Sequence, residues 1–175
     1  EISHGFDPRG SLYDFEGNFN DTWTPLTRQL YLERIDCIIL AYNNFEVNDG
    51  IFVDGNRSIT ENTADIAGME ETWEAYKNSN TIKNEYDTYI LPGFKDFTHD
   101  KLFWVTYAHS FCDVWRPDRY QDIPTNAPTY YITHAPRKAR VNAVVKNQIG
   151  FSQAFNCPIN SPMNPENKCH VWIDY

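Results

Sequence analysis

The first residues that could do chemistry stand at the start of the chain, Glu1-Ile2-Ser3-His4. An E-x-x-H run gains meaning as the end of H-E-x-x-H. In that motif two histidines at i and i+4 share one helix face and bind zinc, and the glutamate between them is the general base. Read so, Glu1 is a base and His4 a zinc ligand. Read blandly, His4 is an exposed histidine at a frayed terminus. The second set is Glu61-Asn62-Thr63-Ala64-Asp65. On a helix, Glu61 and Asp65 lie at i and i+4 and project from the same face. They could be a third zinc ligand and a carboxylate that orients a ligand histidine. They could equally be acids that favour the positive end of a helix dipole, which is the reading given to Glu70 and Glu71. A His, His, Glu set with an open fourth position is one arrangement of a catalytic zinc. His134, close to Pro136, reads by itself as a loop residue. His99, His109 and His170 carry no signal beyond their residue type.

These side chains need elements to position them. Residues 1–25 open with a short helical piece followed by turn residues such as Asp7-Pro8-Arg9-Gly10 and Glu16-Gly17-Asn18, which predict a loop or hairpin. Residues 25–45 space Leu26, Leu30, Leu32, Ile35, Ile38, Ile39 and Tyr42 as a helix does. Thr24 is the expected N-cap and Pro25 the first helical residue. Gly50 and Asp54-Gly55 predict a small hairpin within 46–58. A second helix is expected over 59–77, capped by Thr60, with Glu61 to Asp65 in its first turns. Residues 81–96 read as irregular, 98–112 as an aromatic-rich helix opened by Thr98, and 113–136 as a loop with four prolines. Residues 139–146 fit either an extended segment or a helix start, and 148–156 a short helix. With no repeats and no linker, residues 1–175 read as a single, mainly helical domain.

Composition bounds the function. The chain has 175 residues, 41% hydrophobic and 15% aromatic, enough for a real core. A net charge of −9 argues against a nucleic-acid partner, which would require a basic face. No apolar run approaches the roughly 18–20 residues of a membrane helix. No signal-peptide pattern stands at the start. The chain begins with Glu1 rather than Met, so a longer precursor is expected, with any targeting segment upstream. Cys37, Cys112, Cys157 and Cys169 form no C-x-x-C pair, and sequence alone leaves three disulfide pairings open. Together with the sequons Asn20-Asp21-Thr22 and Asn56-Arg57-Ser58 they lean toward an oxidising, extracellular setting.

Several stretches, in order along the chain, resemble the neprilysin family of zinc endopeptidases. Glu1-Ile2-Ser3-His4-Gly5-Phe6-Asp7 is similar to H-E-I-x-H-x-F-D without its first histidine. Glu61-Asn62-Thr63-Ala64-Asp65 with Gly68 is similar to E-N-x-A-D-x-x-G. Ser161-Pro162-Met163-Asn164-Pro165 and Cys169-His170-Val171-Trp172 are similar to S-x-M-N-P and C-x-V-W. Phe103 to Ala108, Cys112, Arg116-Pro117 and His134-Ala135-Pro136 fit between them.

The resemblance implies a mainly α fold, the C-terminal part of a thermolysin-like (gluzincin) metallopeptidase domain with short β-hairpins, beginning inside its own zinc motif. It implies one zinc ion, with His4 and Glu61 as ligands, Glu1 as general base and proton donor to the leaving amine, and His134 as oxyanion stabiliser. Asp65 would orient the first zinc histidine, whose position precedes Glu1. Arg140 would hold substrate carbonyl oxygens. The family has Asp two residues before the oxyanion histidine, where this chain has Ile132. Cys37 would pair with Cys169, and Cys112 and Cys157 with cysteines of an upstream part of the same ectodomain. An N-A-x-Y edge strand that holds substrate backbone would also lie upstream. The expected partners are peptide substrates, with a preference for a hydrophobic residue just after the scissile bond, at the cell surface or outside the cell. The alternative is an inactive truncated fragment or pseudo-peptidase that serves as a binding module. The residue before Glu1 discriminates the two, and residues 1–175 alone are expected to lack activity.

Overall fold

Two helices of similar length frame the computed structural model, which describes residues 1–48, 50–79, 90–114, 116 and 133–172. Helix α1 (Pro25–Asn43) begins where expected. The Thr24 side chain accepts the Thr27 N–H, and Pro25 occupies a position where its missing N–H is not needed. Tyr31, Ile35, Ile38 and Tyr42 form its buried stripe. A two-stranded antiparallel hairpin follows, β1 (Glu46–Asn48) and β2 (Ile51–Phe52), turning at Gly50, whose φ is +80°.

Helix α2 (Ile59–Asn78) corrects the expected cap. Ser58, not Thr60, is the N-cap residue, and neither hydroxyl caps the helix. The Ser58 hydroxyl is already used: it donates to the Asp54 carbonyl and accepts from Asn62 Nδ2 at 2.8 Å. Helix α3 (His99–Ser110) is opened by Thr98, which accepts the Lys101 N–H. The ambiguous segment is helix α4 (Arg137–Asn147), followed by α5 (Ile149–Ala154). Helix wins there because Ala139, Ala143 and Val144 are each fully buried on one helical face. The opening helical piece is a 3-10 turn over Ile2–Phe6, followed by another over Gly10–Leu12. Most of the proline-rich loop and of the irregular stretch lies outside the described residues. No helix among the described residues is long and apolar enough to cross a membrane.

Helices α1, α2 and α4 enclose the core around Ile38, Tyr42, Ile66 and Val144. Helices α3 and α5 join it through rings: buried Trp104 lies 4.9 Å from both Trp73 and Phe103 and 6.0 Å from Phe151. Gly150 is required there, since a Cβ would stand 2.3 Å from Trp73 Cε2. The tail folds back over α1 and α2. Cys37 and Cys169 are bonded, their Cα atoms 5.6 Å apart, whereas Cys112 and Cys157 are free. The Cys169 N–H donates to Asn147 Oδ1 at 2.7 Å, and Arg34 donates to the Val171 carbonyl at 2.8 Å.

Glu70 departs from its reading as a dipole acid. It lies in the middle of α2, only 4% exposed, bonded to His170 of the tail. Burial pushes its carboxyl pKa up, and the His170 bond offsets part of that.

Two outcomes follow. Cys37→Ser with Cys169→Ser lowers the unfolding free energy by up to about 5 kcal/mol in the loop-entropy picture, the bonded cysteines being 132 residues apart. Urea titrations of the two proteins measure the difference. For Glu70 the folded pKa lies above the unfolded one. Its contribution is therefore fully present below the ordinary carboxylate range and is lost as pH rises through the raised value. Glu70→Gln flattens the part of the stability profile that lies just above the ordinary carboxylate range, read from denaturation midpoints.

Candidate metal and catalytic site

The Ile2–Phe6 turn lies against the first turns of α2, with Ser3 buried between them. This brings His4 Nε2 to 3.5 Å from Glu61 Oε2. His4 is held from its other side: Nδ1 lies 2.8 Å from Asp7 Oδ2. Asp7 is buried, and its second oxygen accepts the N–H groups of Arg9 and Gly10, both at 2.7 Å. A carboxylate at Nδ1 fixes the proton there and leaves the Nε2 lone pair facing Glu61. Gly10 is needed for this closeness, because a Cβ would stand 1.9 Å from the His4 carbonyl oxygen. Sequence reasoning gave Asp7 no role. The available signal was a carboxylate three residues after a candidate ligand histidine.

His134 arrives from the segment before α4, its Nε2 2.9 Å from the same Glu61 Oε2 and its Nδ1 3.0 Å from Thr133 Oγ1. Its neighbour Ala135 is buried, which anchors the approach; Ile132 lies outside the described residues. Asp65, one turn beyond Glu61, takes a two-pronged bond from Arg140, with Nε to Oδ2 at 2.7 Å and Nη2 to Oδ1 at 2.8 Å. The guanidinium also lies over the Phe111 ring, 4.9 Å from its centre. Tyr107 donates to the Arg140 carbonyl at 3.1 Å. The Asp65 bond raises the Arg140 pKa further, so the cation is permanent. Burial, with Asp65 adding to it, likewise pushes the Tyr42 and Tyr107 hydroxyls up. Glu1 is exposed, and its side chain bonds no described residue. The structure thus gathers His4, Glu61 and His134 at one carboxylate oxygen and joins Asp65 to Arg140, while the Glu1 side chain meets no partner among the described residues.

The donor set suits zinc. Two ligands at about 2.0–2.1 Å in a tetrahedral shell stand about 3.3 Å apart, close to the separation of His4 Nε2 and Glu61 Oε2. Both side chains are partly exposed, at 28% and 18%, so an ion can reach them. Among the described residues no group of three His, Cys, Asp or Glu is disposed to hold a metal ion. His4 and Glu61 are therefore a partial set.

A double-mutant cycle tests the Asp65–Arg140 bond. Asp65→Ala, Arg140→Ala and the double variant should show a coupling of about 1–3 kcal/mol in urea unfolding, the range for a charged, two-pronged pair in contact. Strict additivity would mean that the pair contributes nothing to stability.

Comparison with known proteins matches nearly the whole chain. The model described as Peptidase family M13 matches residues 1–171. Neprilysin-21 of Caenorhabditis elegans is 39% identical over 174 residues, covering 98% of this chain and 22% of its own length. Human neprilysin is 34% identical over 175 residues, again 98% of this chain and 22% of its own length. Among solved structures, the Haemonchus galactose-containing glycoprotein complex superposes with a TM-score of 0.83 at 27% identity, over 98% of this chain and 28% of that one. The zinc metalloprotease Zmp1 of Mycobacterium tuberculosis gives 0.80 at 25% identity, over 99% and 26%. The chain spans 22% of the length of the curated relatives just named. A family match over nearly the whole chain, joined to a mainly helical fold shared with solved relatives, makes this chain a member of peptidase family M13.

Proposed function

We propose that this chain supplies the metal-binding and catalytic face of a zinc-dependent, neprilysin-type endopeptidase that hydrolyses peptides. The observation that carries the reading is the approach of His4 Nε2 to Glu61 Oε2, with His4 oriented from behind by Asp7. His4 and Glu61 would hold the zinc, and a further ligand would come from outside residues 1–175, since a catalytic zinc takes three protein ligands. When bound, zinc acts as a Lewis acid and activates water near neutral pH. Glu1, exposed and unengaged, takes up the proton of the attacking water and passes it to the leaving amine. His134 donates its Nε2–H to the developing oxyanion, exchanging its contact with Glu61 for one with substrate. Arg140 commits Nε and Nη2 to Asp65, which leaves Nη1 for a substrate carbonyl. Peptide substrates and an upstream part of the same ectodomain are the partners this reading requires. The cross-link supports an oxidising setting, at the cell surface or outside the cell.

The test compares variants of the intact protein. Glu1→Gln should keep zinc and lose cleavage of a quenched peptide by about 10²–10⁴-fold, whereas His4→Ala and Glu61→Gln should lose the zinc itself. Residues 1–175 alone should show no chelator-sensitive turnover. Cleavage that survives chelation, or zinc retained equally by Glu61→Gln, would sink the reading.

A further inference from the structure

Trp172 is distant from His4 in sequence, yet its ring lies against Phe6 of the turn that carries His4. Its ring stacks on Tyr31 (5.7 Å, 21° between planes) and meets Phe6 edge-on at 5.9 Å and Trp23 at 6.2 Å. Tyr31 adds a directional restraint, since its hydroxyl donates to the Phe6 carbonyl at 2.9 Å. Arg28 backs the layer. It lies 4.4 Å from the centre of the Trp23 ring and donates to Ser11 of the second 3-10 turn.

The His4 turn has little apolar anchorage of its own. Ile2 is 86% exposed and Phe6 53%. Ser3 and Asp7 are its buried members, and Asp7 is spent on local bonds. The position of Phe6, and with it that of Asp7 and the His4 ring, therefore depends on the surface that Tyr31 and Trp172 provide. Trp172 is itself placed by the tail: Val171 is 2% exposed, its carbonyl accepts from Arg34, and Cys169 is tied to Cys37.

We infer that Trp172 is a positioning residue for the metal ligand His4, acting through Phe6 and Tyr31, so that the cross-linked tail sets the geometry at which His4 meets its metal. This rests on the metal reading of His4 and Glu61 given above. Trp172 is 43% exposed, so its loss falls on the His4 turn rather than on the core.

The experiment uses the intact, metal-loaded protein and two readouts that need no catalysis: zinc affinity by competition with a chromophoric chelator, and the visible absorption of the cobalt(II)-substituted form. Trp172→Ala should weaken zinc binding about tenfold, the low end of what losing a group that orients a metal ligand costs, and should alter the cobalt spectrum. Trp172→Phe should restore most of both. Tyr31→Phe, which removes only the bond to the Phe6 carbonyl, should shift both in the same direction and reports even if Trp172→Ala fails to fold. Leu40→Ala, an exposed change elsewhere on α1, should leave both unchanged. Wild-type affinity and spectrum in both Trp172→Ala and Tyr31→Phe would overturn the inference. Unchanged zinc binding in His4→Ala and Glu61→Gln would overturn the metal reading first and the positioning role with it. Loss of binding in those two variants, with none in the Trp172 and Tyr31 variants, would overturn the positioning role alone.

Discussion

Of the five carboxylates on helix α2, Glu71 and Glu74 are exposed, whereas Glu61, Asp65 and Glu70 lie along a stretch in which Asn62, Thr63, Ala64, Ile66, Ala67 and Met69 are buried. A carboxylate taken out of water without a partner costs far more than any single packing contact returns. Each of the three is therefore met by a residue from a different part of the chain. Glu61 is met by His4 of the opening turn and by His134 of the segment before α4. Asp65 is met by Arg140 of α4, and Glu70 by His170 of the tail. The arrangement of turn, helices and tail around α2 follows from satisfying that one helix.

The contacts of the three carboxylates differ in how far they are enclosed. Glu70 and His170 are the most enclosed, and their bond acts as a clasp between core and tail. Asp65 and Arg140 are intermediate, locked two-pronged through Nε and Nη2. Glu61 is shared between two histidines that are 28% and 48% exposed. A carboxylate with two imidazole nitrogens competing for one oxygen, open to solvent, can change partners at small cost. That is the property a metal- or substrate-binding position needs, and the clasp at Glu70 lacks it.

The disulfide and the aromatic layer extend the same logic to the opening turn. A 3-10 turn of five residues has few internal hydrogen bonds and cannot hold the His4 side chain in place unaided. Asp7 supplies local order by closing on His4, Arg9 and Gly10. Tyr31 and Trp172 supply a wall against which Phe6 rests, and the bond between Cys37 and Cys169 keeps that wall in place. Local hydrogen bonding thus fixes the direction of the His4 ring, and long-range packing fixes its location.

Much of this protein was readable along the chain. The starts of α1 and α3 follow from Thr24-Pro25 and Thr98, because a cap is a bond between a side chain and a backbone group three residues away. The hairpin follows from Gly50, and the shared face of Glu61 and Asp65 from helical spacing alone. The ordered run of motifs likewise pointed to the family. What sequence could not supply was who meets whom. The capping of α2 failed because the Ser58 hydroxyl was drawn to Asp54 and Asn62. Glu70 read as an acid favouring the helix dipole because its partner lies 100 residues away, and Arg140 gave no sign of Asp65, 75 residues earlier. Such pairs depend on how α2, α4 and the tail pack, and packing is decided by burial summed over many side chains, a quantity that no local stretch of sequence contains.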